Sequence, residues 1–102
     1  MKQTKQTTDG TSFFGHTIAL TKNDLQALTA CRPYHYGDPS DKVQYEWEME
    51  TDSGEVFTIY DWKEYRLIGG DEVIEWHIGA LSSRVATDAL YEIETAITQL
   101  NI

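Results

Sequence analysis

The chain has 102 residues, with 17 Asp and Glu against 8 Lys and Arg, so its formal net charge is −9 with the histidines neutral. This length predicts one domain and excludes a large multi-domain enzyme. The acidity excludes unaided binding to nucleic-acid phosphates, because an anionic surface repels them and releases no counterions. A hydrophobic content of 40% predicts a folded domain, not a disordered chain.

Cysteine content and hydropathy narrow the class further. Cys31 is the only cysteine, which excludes an intrachain disulfide and a cysteine-based zinc site. There is no signal-peptide pattern, and no apolar run approaches the roughly 18 residues of a membrane span. We therefore expect a cytoplasmic protein with a flexible tail over residues 1–12, a single domain over residues 13–102 and no cofactor.

The first half of that domain is predicted to begin with a strand and a helix. Residues 13–20 form the strand, with Gly15 as a candidate bulge. Thr21 then has the position of an N-cap for a short helix over residues 22–31. Both prolines fall in residues 32–42, which predicts an exposed loop.

The second half is predicted to form three strands and a helix. Apolar and polar residues alternate strictly over residues 43–50, a turn follows at residues 51–54, and further strands span residues 55–62 and 72–78. Ser82 or Ser83 caps a last helix with an apolar stripe. The resulting order, β-α-β-β-β-α, predicts an α+β domain: a small antiparallel sheet of three to four strands with both helices packed on one face.

Most of the negative charge falls in one stretch of sequence. Residues 43–75 hold ten Asp and Glu but only two basic residues. Three of the acids share one strand face at intervals of roughly 6.8 Å. Such a face fits either a solvated sheet surface or a surface for a cationic partner. Mimicry of nucleic acid would need further strands or a second subunit, because B-DNA carries one charge per roughly 1.7 Å of axis.

The first functional hypothesis is a binding protein for a basic partner. Aromatic residues on the proline-flanked loop add candidate interface anchors to the acidic strand, because loop aromatics commonly anchor interfaces. The candidate partner-binding residues are Tyr34, Tyr36, Glu46, Glu48, Glu50 and Asp52.

The alternative hypothesis is a binder of a nucleotide-like small molecule. Tyr60–Arg66 and Glu75–Arg84 mix aromatic residues with the few basic ones. A base would stack on the aromatic side chains, and basic groups with backbone N–H groups after Gly79 would bind a phosphate. The candidate residues are Trp62, Lys63, Arg66, Trp76, His77, Ser83 and Arg84. The tryptophans fit a core role as well.

An enzymatic reading would require Asp61, Glu75 and His77 to converge in one cleft, which the sequence does not indicate. The three histidines lack the spacing of a metal site. We therefore expect neither catalysis nor a bound metal.

The chain is small and acidic and contains the mixed aromatic and basic segments Tyr60–Arg66 and Glu75–Arg84. In these features it resembles small phage or mobile-element proteins of uncharacterised function, over about residues 43–97. The resemblance implies a non-enzymatic role in host takeover or counter-defence and carries over no catalytic residues. The leading hypothesis is therefore an inhibitor of a basic, nucleic-acid-binding host protein, and the alternative is sequestration of a signalling nucleotide. The apolar stripe of the last helix leaves a homodimer open.

Overall fold

The structure, a computed structural model, describes residues 1–102 and contains six strands and two helices. Neither helix combines the length and apolar character that crossing a bilayer requires. In chain order the elements are β1 (Lys2–Gln3), β2 (Ser12–Thr21), α1 (Lys22–Thr29), β3 (Tyr34–His35), β4 (Tyr45–Glu50), β5 (Val56–Tyr60), β6 (Val73–Ala80) and α2 (Ser83–Leu100).

All six strands belong to one antiparallel sheet. Its order is β1-β4-β5-β6-β2, and β3 also pairs with β4. The hairpin of β4 and β5 places Met49 opposite Phe57, and β6 continues the meander. β1 and β3 use different positions along one edge of β4, with Gln3 opposite Met49 and Tyr34 opposite Glu46. The predicted α+β class is therefore confirmed.

The predicted size of the sheet, three to four strands, was wrong. The two additional strands are only two residues long, so no alternation of apolar and polar residues could reveal them. Tyr34–His35 lies in the segment predicted as a loop, and Lys2–Gln3 lies within residues 1–12, which were expected to be a tail. Both strands exist through pairing with β4, a tertiary contact.

The hydrophobic core lies between the sheet and the two helices, which pack on the same face. Trp47 and Trp76 meet edge to face with ring centroids 5.4 Å apart. The indole N–H of Trp47 donates to the Cys31 carbonyl at 3.0 Å, and the indole N–H of Trp76 donates to the Leu20 carbonyl at 2.9 Å. Other fully buried members are Leu25, Met49, Phe57, Ile59, Ile78, Ala80, Ala86, Ala89 and Ile93.

The ends of α1 follow the local sequence closely. The predicted N-cap is present as a capping box, with the Asp24 N–H donating to Thr21 Oγ1 at 2.9 Å and the Thr21 N–H donating to Asp24 Oδ2 at 3.2 Å. Ala30 adopts a left-handed conformation with φ 56°, which ends the helix before the predicted position at Cys31.

The opposite side of the sheet carries no helix, and we call it the open face. Strand alternation directs Glu46, Glu48 and Glu50 to this side, because Trp47 and Met49 between them are buried in the core. The link from β1 to β2 passes from one edge of the sheet to the other. It lies near one end, where the Gln6 side-chain amide donates to the Gly54 carbonyl at 3.0 Å.

Candidate functional site

The acids of the open face form no ion pair within the chain, although Lys2 on β1 lies opposite Glu50. None of Glu46, Glu48 and Glu50 on β4, nor Glu75 on β6, takes part in any of the ion pairs of the structure. The other six acids of residues 43–75 lie elsewhere: in turns, in ion pairs or in the interior. The charge that the sequence concentrates in this stretch is therefore only partly a property of the sheet face.

Glu46 is held by a tyrosine that directly follows the neighbouring strand β3. The Tyr36 hydroxyl donates to Glu46 Oε2 at 2.7 Å, while Oε1 accepts no hydrogen bond within the chain. Burial raises the pKa of Glu46, the bond from Tyr36 opposes that shift, and the charge of Glu48 adds to it. Burial and the bond to Glu46 raise the pKa of Tyr36, so the hydroxyl stays protonated and remains the donor.

A groove of about 220 Å³ opens beside Glu46 on the open face. Tyr60 lies directly opposite Glu46 in the register of β4 and β5. The Tyr60 and Trp62 rings meet edge to face with centroids 6.3 Å apart, and Trp62 is 40% exposed. The groove is lined by Thr11, Ser12, Val43, Glu46, Thr58, Tyr60, Trp62 and Gly79.

Gly79 makes this arrangement of side chains sterically feasible. A Cβ at position 79 would lie 2.5 Å from Thr58 Oγ1 and 3.3 Å from Tyr60 Cε1. Real Cβ atoms essentially never approach another atom so closely. Because Gly79 has no side chain, the side chains of Thr58 and Tyr60 can occupy the space directly above it on β6.

An aromatic cluster continues from the groove along the open face. The His77 ring stacks on Phe13 with centroids 4.1 Å apart, and its centroid lies 5.5 Å from that of Tyr60 and 6.1 Å from that of Trp62. Burial lowers the pKa of His77, and the nearby Glu75 opposes that shift. His77 is therefore neutral at neutral pH and does not offset the negative charge of this face.

Most of the predicted partner-binding residues come together in the structure. β3 brings Tyr34 and Tyr36 to the open face beside Glu46, with the two tyrosine rings 4.6 Å apart. Tyr34 is 63% exposed. Glu48 and Glu50 continue the same row along β4. Asp52 lies apart in the following turn, where it pairs with the Met1 amine at 2.7 Å.

The predicted small-molecule site is divided between different parts of the fold. Trp76 is fully buried in the core, on the opposite side of the sheet from Trp62 and His77. Lys63 stays near Trp62, with its Nζ 5.4 Å from the ring centroid. Ser83 begins α2, but Ser82 is its N-cap and accepts from the Val85 N–H at 3.2 Å.

The two arginines of that predicted site are already engaged. Arg66 pairs with Glu72 and, at 3.7 Å, with Glu64. Arg84 pairs with Glu55 and, at 2.9 Å, with Asp88. A phosphate would have to displace these carboxylates. The alternation of strand residues could not indicate this, because the partners are set by turns and by the packing of α2.

Asp61 takes no part in a catalytic arrangement with Glu75 and His77. It is fully buried and accepts hydrogen bonds from the Gln44 N–H at 2.9 Å and the Tyr45 N–H at 2.8 Å. These bonds fix the start of β4. Its carboxylate therefore has a structural role.

Several residues of the open-face site were not predicted from the sequence, among them Thr11, Ser12 and Val43 of the groove, as well as Phe13 and Thr58. Phe13 belongs to β2 and meets His77 only because β2 pairs with β6. Thr58 lies on the same side of β5 as Tyr60, and simple alternation along that strand could have found it.

A scan against protein-family models finds no match, and searches of curated proteins and of solved structures find none either.

Proposed function

We propose that the protein is a non-enzymatic binding protein whose open face docks a basic protein. The contact surface is the acidic patch, which we define as Tyr34, Tyr36, Glu46, Glu48 and Glu50. The observation that carries the proposal is that none of the three acids of this patch forms an ion pair within the chain, although Lys2 lies opposite Glu50 and two arginines pair with acids elsewhere.

Exposed aromatic rings beside unpaired acids favour a protein partner. Complementary charge speeds encounter and selects the partner, while tyrosine side chains supply contact area at low entropic cost. The class of partner we propose is a nucleic-acid-binding protein of a host cell, because its binding surface is rich in Lys and Arg. Occupation of that surface would exclude nucleic acid, so the activity we propose is inhibition, carried out in the cytoplasm.

The test compares two variants that change the net charge equally. The patch variant carries Glu46→Gln, Glu48→Gln and Glu50→Gln, and the control carries Asp9→Asn, Asp41→Asn and Glu94→Gln at exposed positions outside the patch. Binding is measured by biolayer interferometry against basic proteins recovered from a DNA-affinity column. We expect the patch variant to lose at least tenfold in affinity and the control to stay within about threefold. Equal losses would contradict the proposal.

The nucleotide alternative retains one supporting observation, the exposed Trp62 ring beside His77. It needs a cation for the phosphate, and Lys63 is the one candidate of its basic set that is free of ion pairs. A thermal-shift screen with mono-, di- and cyclic nucleotides tests it, because a ligand that binds the folded state raises the melting temperature.

A further inference from the structure

We propose that the groove beside Glu46 binds a single arginine side chain of the basic partner. The inference rests on the proposed function and adds the place at which the partner is recognised. Three features of the groove carry it: an oriented carboxylate, aromatic walls and a restricted volume.

The carboxylate of Glu46 is prepared for a cation. The Tyr36 hydroxyl holds Oε2 at 2.7 Å, which orients the group, and Oε1 remains free. Glu46 is partly buried, so a cation that pairs with it is less screened by water than one on a fully exposed acid. No Lys or Arg of the chain pairs with it. A cation that pairs with it would therefore come from another molecule.

The walls of the groove suit a guanidinium group. Tyr60 lies opposite Glu46, and Trp62 stands edge to face against Tyr60. Arginine stacks on aromatic faces while it donates two parallel hydrogen bonds to a carboxylate, whereas lysine offers a single point charge. Cations bind aromatic rings within about 6 Å of the centroid. Lys63 Nζ lies 5.4 Å from the Trp62 centroid, so an arginine that stacks on this ring would displace that ammonium group or bind on another part of the ring.

The volume of the groove fits one amino-acid side chain better than a complete small-molecule ligand. The groove measures about 220 Å³, whereas pockets for drug-sized ligands and cofactors measure roughly 300–1,000 Å³. A nucleotide would therefore extend well beyond it, onto a face whose four acids repel phosphate. One long side chain that enters from a docked protein meets neither problem.

The test follows the indole signal of Trp62 by ¹H–¹⁵N NMR during titration with Ac-Gly-Arg-Gly-NH₂. The indole N–H groups of Trp47 and Trp76 donate to carbonyls in the interior, so their signals report whether the fold is intact. The neutral control peptide replaces arginine with citrulline, which has nearly the same shape. We expect a saturable shift of the Trp62 signal with the arginine peptide and at least tenfold weaker binding of the citrulline peptide.

Matched variants locate the binding. Glu46→Gln should weaken binding of the arginine peptide at least fivefold. Glu48 lies on the same strand and face but outside this groove, so Glu48→Gln should change the affinity for the peptide less than twofold. Equal losses of affinity in the two variants would contradict arginine binding in the groove, but they would not contradict docking of a basic protein on the open face. If the Trp62 indole signal shifts with AMP but not with the arginine peptide, arginine binding in the groove is contradicted as well. If the peptide binds in a Glu46-dependent way but no basic protein binds, the arginine site in the groove is supported and the proposed function is contradicted.

Discussion

Glu46 keeps a carboxylate in a partly buried position between Tyr36 and Tyr60. Burial of a charge without a cation opposes folding, because the protein interior solvates the charge less well than water does. The same unpaired charge is what would attract a basic partner. Stability and binding are therefore opposed at this residue.

We predict that Glu46→Gln raises the melting temperature at pH 7 by about 2 °C, a fraction of a kcal/mol for a chain of this length. The raised pKa of Glu46 means that the folded state binds its proton more tightly than the unfolded state. Its contribution to stability therefore improves as the pH falls through that pKa and worsens as the pH rises. The advantage of the variant should shrink at pH 4, as measured by thermal unfolding at both pH values.

Glu48→Gln is the control for this prediction, because Glu48 is exposed on the same strand and face. It should change the melting temperature less than Glu46→Gln at pH 7. A Glu46→Gln variant that melts below the wild type at both pH values would mean that the bond from Tyr36 outweighs the cost of burial.

At the scale of elements, the pairing of β5 with β6 depends on a residue without a side chain. Thr58 lies opposite Gly79, and a Cβ there would lie 2.5 Å from Thr58 Oγ1. The two strands form the floor of the groove beside Glu46, so their spacing also sets its shape.

We predict that Gly79→Ala lowers the free energy of unfolding by about 1–3 kcal/mol, the usual cost of overpacking. Urea unfolding measures the effect. Thr58→Ala removes the clashing hydroxyl, so the double variant should be more stable than the sum of the single effects implies, by about 1 kcal/mol. Strictly additive effects would show that the strands adjust without strain.

Predictability differed between elements for a physical reason. The alternation of β4 predicted its acidic face and its buried Trp47, because six residues are enough to show a period of two. The capping box of α1 was equally local. β1 and β3 have no period to detect, and their places depend on the free edge of β4. The groove beside Glu46 combines β4 and β5 with the β1–β2 link, so no single segment could predict it.

At the scale of the whole molecule, 17 acids and 8 basic residues occupy a body of 34 × 32 × 24 Å. At about 10 mM salt the Debye length is about 30 Å, so charges repel across the entire molecule. At about 150 mM it falls to about 8 Å, and only near neighbours interact. Screening should therefore relieve more repulsion than it weakens in the exposed ion pairs of Arg66 and Arg84.

We predict that the melting temperature rises by about 2–5 °C between these two salt concentrations. The patch variant with Gln at 46, 48 and 50 should show a smaller rise, because it has lost three repelling charges. Differential scanning calorimetry at fixed pH measures both. A melting temperature that falls with salt would show that the ion pairs dominate.

The sequence by itself determined the α+β class, the acidic face of β4, the N-cap of α1 and the excess of charge in residues 43–75, because each depends on composition or on neighbours a few residues apart. Tertiary structure alone decided which charges are free. Folding pairs Arg84 with the distant Glu55, buries Asp61 and Trp76, and brings Tyr36 to Glu46, while a turn pairs Arg66 with Glu72. Whether an acid of β4 meets a cation depends on which distant segments pack beside it, and so the unpaired acids became visible only on the folded sheet.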